Sequence, residues 1–184
     1  MKRIFRKSLC CLFACLLVCC LTPSGLAAPG DASGFCGDSQ NDVTWTLKDG
    51  VLTISGSGRM FTSSGWSFLK SYVKSIVIEE GITSLCTNAF AKCSAATSVS
   101  FPSTLTNIGV SAFCDCTALT ELVFPEGLLT IGSSAFNNCS SLVSLTLPDS
   151  LTVLGDGAFG RCYSLTSVTL PEGLEAEHFA KALM

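Results

Sequence analysis

The sequence predicts a solenoid of 23-residue units with a parallel β-sheet face and an N-terminal β-hairpin cap. Two observations carry that fold class. Side chains recur at a fixed step of 23: Phe90, Phe113, Phe136 and Phe159; Ala89, Ala112, Ala135 and Ala158; Cys93, Cys116, Cys139 and Cys162; Pro102, Pro125, Pro148 and Pro171. Upstream of them, Asp49-Gly50 separates two alternating apolar runs, the strongest short-range hairpin signal. A sustained period of this size marks an array in which each unit is one supersecondary element.

The apolar columns hold the same step, as in Leu85, Ile108, Ile131 and Leu154, or Ile76, Val99, Leu122, Leu145 and Val168. Before each proline the residues alternate, as in Leu122-Val123-Phe124 and Leu145-Thr146-Leu147, which is the period of a short half-buried strand. Proline lacks the amide hydrogen that a ladder bond needs, so Pro125 and its equivalents turn the chain out of the sheet. Gly109, Gly132 and Gly155 mark a second turn, after which the Ala-Phe pair returns to the core on the opposite side of the coil. One coil buries too little to be stable alone, so neighbouring coils complete its burial and both ends of the array need caps.

The organisation that follows is a leader over 1–28, a cap region over 29–73, the solenoid over 74–174 and a C-terminal cap or truncated repeat over 175–184. In the cap, a turn at Asp49-Gly50 pairs Leu47 with Leu52 and Trp45 with Ile54, placing four apolar side chains on one face that can lie over the open end of the solenoid. Trp66, Leu69 and Val73 have the spacing of a short helix leading into the first strand. At the other end Glu177 and Ala182 break the columns, and Phe179 with Leu183 mark the apolar side of a short helix.

The leader is read from Lys2, Arg3, Arg6 and Lys7, followed by thirteen residues without charge or hydroxyl, Leu9 to Leu21, and then the small residues Pro23 to Ala28. That run is too short to span a bilayer and has the length of a signal-peptide core. An acylation site at Cys15 would fall too early in the run. No later stretch is apolar and long enough to span, so the chain is expected to be exported and released, or held at the cell surface by other means. Of 184 residues, 48% are hydrophobic and 14% charged. Removal of the leader leaves seven cysteines and seven basic side chains against fourteen acidic ones, a formal charge of −7. Nucleic acid is excluded as a partner, since phosphate binding needs clustered Lys and Arg.

Catalysis finds no foothold. His178 is the single histidine and lies in the irregular tail, and there is no His-Glu-x-x-His, Gly-x-Ser-x-Gly or phosphate-binding glycine loop. A serine or cysteine nucleophile would therefore lack a base within the coils. No cofactor is implied. The cysteine column reads first as small buried hydrophobes. Neighbouring strands about 4.8 Å apart also fall within disulfide reach of about 4.4–6.8 Å, which leaves Cys93–Cys116 and Cys139–Cys162 open as pairs. Metal ligation would need close cysteine pairs, and only Cys114-x-Cys116 is close. An odd seven leaves one thiol free, Cys36 or Cys114 first. The remaining surface is the outward strand face: Ser98, Ser100, Glu121, Val123, Ser144, Thr146, Ser167 and Thr169, preceded by Ser75 and Val77. It lacks the aromatics of a sugar-binding face and suits protein contact.

With these residues in place, the chain resembles the BspA-like leucine-rich repeat family, whose units read like Leu-Thr-x-Leu/Val-x-Leu-Pro-x-x-Leu/Val-x-x-Ile-Gly-x-x-Ala-Phe-x-x-Cys. Leu119 to Cys139 and Leu142 to Cys162 follow that pattern, and Cys36-Gly37, Trp45, Asp49-Gly50 and Leu52 to Met60 match the family's leader segment, so the likeness covers residues 35 to 174. The resemblance implies a leucine-rich-repeat solenoid on secreted or surface proteins of microbes, acting as a non-catalytic, adhesion-type module that binds proteins of a host or neighbouring cell. Two departures stand out: Cys86 replaces the glycine of other units, and the array is short with no anchor domain. The alternative is a structural or self-associating solenoid, or a fragment of a longer surface protein.

Overall fold

A computed structural model describes residues 31–37, 42–174 and 176–184; the predicted leader lies outside the described residues. The chain begins with β1 (Ala32–Phe35), β2 (Thr44–Lys48) and β3 (Val51–Ser55). β2 and β3 form the expected hairpin, with Leu47 opposite Leu52 and Trp45 opposite Ile54. All four side chains are buried. Asp49 and Gly50 take φ of 52° and 84°, the left-handed conformations that a two-residue hairpin turn requires.

The hairpin does not lie over the end of the solenoid as a lid. After β4 (Gly58–Arg59) and two 3-10 turns, Ser64–Trp66 and Lys70–Tyr72, the chain enters β5 (Ser75–Ile78), and β3 pairs with β5 in parallel, Val51 opposite Ser75 and Ile54 opposite Ile78. The hairpin thus extends the sheet edge to edge, which satisfies backbone groups that a lid would leave unpaired. β1, which the sequence pattern did not reveal, adds a further antiparallel strand outside β2. The helix expected over Trp66 to Val73 is replaced by the 3-10 turns. Trp66, Leu69 and Val73 are buried as anticipated, but a spacing of three suits the i→i+3 bond, and Leu69 N donates to Trp66 O at 2.8 Å.

The coils then supply β6 (Ile82–Ser84), β7 (Ser98–Ser100), β8 (Asn107–Ile108), β9 (Thr130–Ile131), β10 (Ser144–Thr146), β11 (Val153–Leu154) and β12 (Ser167–Thr169). Two sheets result. One runs β1-β2-β3-β5-β7 and resumes as β10-β12; the other runs β4-β6-β8-β9-β11. Residues one period apart face each other in parallel, as Ser75 and Ser98, Asn107 and Thr130, and Ser144 and Ser167 do.

Between the sheets runs a ring stack, Trp66–Phe90–Phe113–Phe136–Phe159, with centroids 5.9, 5.0, 5.1 and 5.4 Å apart. Trp45 meets Trp66 edge-on at 5.7 Å and ties the cap to the stack. The strand expected at Leu122-Val123-Phe124 is reduced to one bridge, Val123 to Thr146. Only here do two rings from successive strand segments stack, Phe101 on Phe124 at 5.6 Å. Among the described residues no ladder pairing joins β7 to residues 121–124.

The glycine column is explained by close approach. A Cβ on Gly132 would sit 2.7 Å from Val110 N, and one on Gly155 would sit 2.3 Å from Ser133 N. The left-handed turning is done two residues later, at Asn88, Ser111, Ser134 and Gly157, and again at Lys92, Asp115, Asn138 and Arg161. These positions aim amides at the next coil: Ser111 N donates to Ser133 O, and Asp115 N to Asn137 O.

α1 (Ala176–Leu183) closes the far end. Gly157 N donates to Lys181 O at 3.0 Å and Phe159 N to Ala182 O at 2.8 Å, just as Phe136 N bonds Ala158 O one coil earlier. Helix carbonyls therefore stand in for a further coil. Among the described side chains of α1, Phe179 and Ala182 are buried, whereas Leu183, expected beside Phe179, is exposed.

Candidate functional site

The eight strip residues all reach one exposed face. Ser98 and Ser100 lie on β7, Ser144 and Thr146 on β10, and Ser167 and Thr169 on β12, with Glu121 and Val123 on the segment between, which is joined to β10 by a single bridge. Strand alternation places them outward because Leu122, Phe124, Leu145 and Leu147 point into the core. The face is not the continuous sheet that the repeat predicts. It is divided between β7 and Glu121, and beyond the division a groove of about 470 Å³ opens between Glu121–Glu126 and the coils that carry Thr146, Asp149 and Thr169.

The cysteines form no bonds with one another; all seven described ones are free. The column has a different task. Cys116, Cys139 and Cys162 each donate a thiol hydrogen to the carbonyl of Phe90, Phe113 and Phe136, at 3.3, 3.4 and 3.4 Å. Burial pushes the Cys93 and Cys162 thiols up to about 11 and the Cys36 thiol, further raised by neighbouring Cys86, to about 12. Such thiols stay protonated and make poor nucleophiles or metal ligands. Cys114, half-exposed, is also raised by burial and by Asp115.

Cys86 occupies the glycine column without strain because no full coil lies beneath it. It lines a cleft of about 300 Å³ with Arg59, Met60 and Phe61 of the cap. Among the described residues no group of three or more His, Cys, Asp or Glu side chains is placed to hold a metal ion, and no helix is long and apolar enough to cross a membrane.

The fold and its strip define a β-solenoid repeat protein with an outward-facing parallel strand row. Six copies of the BspA type leucine rich repeat region match residues 64–180, and the chain belongs to that family. Solved structures agree. A leucine-rich repeat protein from Eubacterium ventriosum ATCC 27560 aligns with a TM-score of 0.58 at 25% identity, over 76% of this chain and 44% of that one. A leucine rich cell surface protein from Faecalibacterium prausnitzii A2-165 aligns with a TM-score of 0.58 at 26% identity, over 80% and 45%. The Treponema pallidum leucine rich repeat protein shares the fold at 21% identity and a TM-score of 0.55, over 81% and 84%. The chain thus spans less than half the length of the first and second of these neighbours. None of the curated proteins matches it.

Proposed function

We propose that this chain is a secreted or cell-surface protein-binding module of adhesion type, without catalysis, and that its partner is an extracellular or surface protein of a host or neighbouring cell. The observation that carries this reading is the strand face itself: eight exposed side chains on one side of the solenoid, on a scaffold whose buried alternates are fixed by packing. Rigid backbone and small hydroxyl side chains lower the ordering cost of a contact. The surface setting draws on the Faecalibacterium neighbour, which is a cell surface protein.

The test is binding of the purified chain to a panel of extracellular-matrix and bacterial surface proteins, beside a Ser144→Arg/Thr146→Arg variant with an unchanged melting curve. Saturable binding lost in the variant supports the reading. Binding to no member of the panel, or equal binding by the variant, overturns it. A second reading, self-association, is favoured by the unpaired outer edge of β12, a template for another strand. A mass that rises with concentration supports it.

A further inference from the structure

The strand face carries an unbalanced charge beyond its division. Glu121, Val123, Glu126, Thr146 and Asp149 border the groove of about 470 Å³, and no lysine, arginine or histidine lines it. None of these three carboxylates has a hydrogen-bond or ion-pair partner among the described residues. Their column offers a contrast: one coil before Ser103, Glu80 accepts from Ser103 N at 2.8 Å and Ser103 Oγ at 3.0 Å. Glu126 and Asp149 follow in the same column, one period apart, with no such anchor. Both stand on the turns that follow Pro125 and Pro148, where like charges on successive coils repel. Beside them Val123 is 75% exposed, more than any other valine, leucine or phenylalanine among the described residues. A partner with cations flanking an apolar side chain relieves both costs.

We propose that this groove docks an extended segment of a partner protein that carries lysine or arginine at alternate positions around an apolar residue. The inference rests on the strand-face reading above and narrows its partner. In an extended chain residues two apart share a face and lie about 6.6 Å apart, so cations placed two residues to either side of an apolar residue point into the groove together with it. The apolar residue between them packs on Val123, and Thr146 supplies a hydroxyl at the groove wall.

The probe is a ten-residue extended peptide in which lysine and valine take turns at every second position with threonine between them, compared with its glutamate counterpart by NMR titration of the ¹⁵N-labelled chain purified after expression of the full sequence. Saturable shifts confined to residues 121–126, 144–149 and 169–170, about tenfold weaker in a Glu126→Gln/Asp149→Asn variant, are expected. Shifts spread over the whole surface, equal binding of the glutamate peptide, or no shifts overturn the proposal. The protein panel separates the two readings. Partner binding lost in Ser144→Arg/Thr146→Arg but unchanged in Glu121→Gln/Glu126→Gln/Asp149→Asn overturns the basic segment and leaves the strand face standing. These neutral exchanges lie on exposed positions, and an unchanged melting curve verifies the fold.

Discussion

Cys139 donates its thiol hydrogen to the carbonyl of Phe113, 3.4 Å away in the preceding coil. The same carbonyl accepts from Cys116 N at 3.2 Å, so the thiol adds a second donor to a buried oxygen, which accounts for cysteine in a column where alanine would fit the space. Cys139→Ala removes the donor and leaves a small void, and is expected to cost about 1–3 kcal/mol. Urea denaturation checks this. Cys139→Val fills the volume without the donor, so a valine variant as stable as the parent would refute the role given to the thiol.

Alkaline pH should destabilise the folded chain through its buried thiols. An unfolded cysteine titrates near 9.0, whereas folded Cys93 and Cys162 hold their protons to about 11. A raised folded pKa contributes stability that is complete below the unfolded value and is lost as pH climbs through the folded one. Melting temperature is therefore expected to hold to about pH 9 and fall steadily toward pH 11. A flat profile across that window would contradict the burial of these thiols.

Ser134 sits at φ 55°, and one coil later the equivalent residue is Gly157 at φ 63°. Left-handed backbone costs a side-chain-bearing residue about 1–2 kcal/mol, partly offset by the greater unfolded freedom of glycine. Ser134→Gly is expected to stabilise the chain by about 0.5–1 kcal/mol in equilibrium denaturation.

The opposite exchange fails in the glycine column. Gly155→Ala would place a methyl 2.3 Å from Ser133 N, against backbone that cannot swing aside. A loss of about 1–3 kcal/mol is expected, with coils on either side pushed apart. Calorimetry of the variant reads it directly.

The inward columns, the hairpin register and the proline turns were legible because each rests on a local rule repeated several times over. Leu47 opposite Leu52 follows from alternation and the Asp-Gly turn alone. What escaped was set by partners distant in sequence. β1 carries a weak apolar pattern and is defined by pairing with β2, and the hairpin's place in the sheet depends on the free edge of β5. The division at Glu121 lies where Phe101 stacks on Phe124, a contact across coils that no single unit displays. The strip residues were legible as outward-facing, since alternation decides which side of a strand a residue takes. The groove among them was not, because it exists only where the ladder is interrupted.

The cap carbonyls of Lys181 and Ala182 meet Gly157 and Phe159 as a further coil would, which makes length a quantity that can change without redesign. Excising or duplicating a block of 23 residues from the middle of the array rejoins surfaces that already fit, whereas a block of any other size throws every downstream column out of phase. Recombination between units that share this 23-residue pattern can therefore lengthen or shorten the molecule in whole steps, each new coil adding one more row to the exposed face while the hairpin and the terminal helix keep their places.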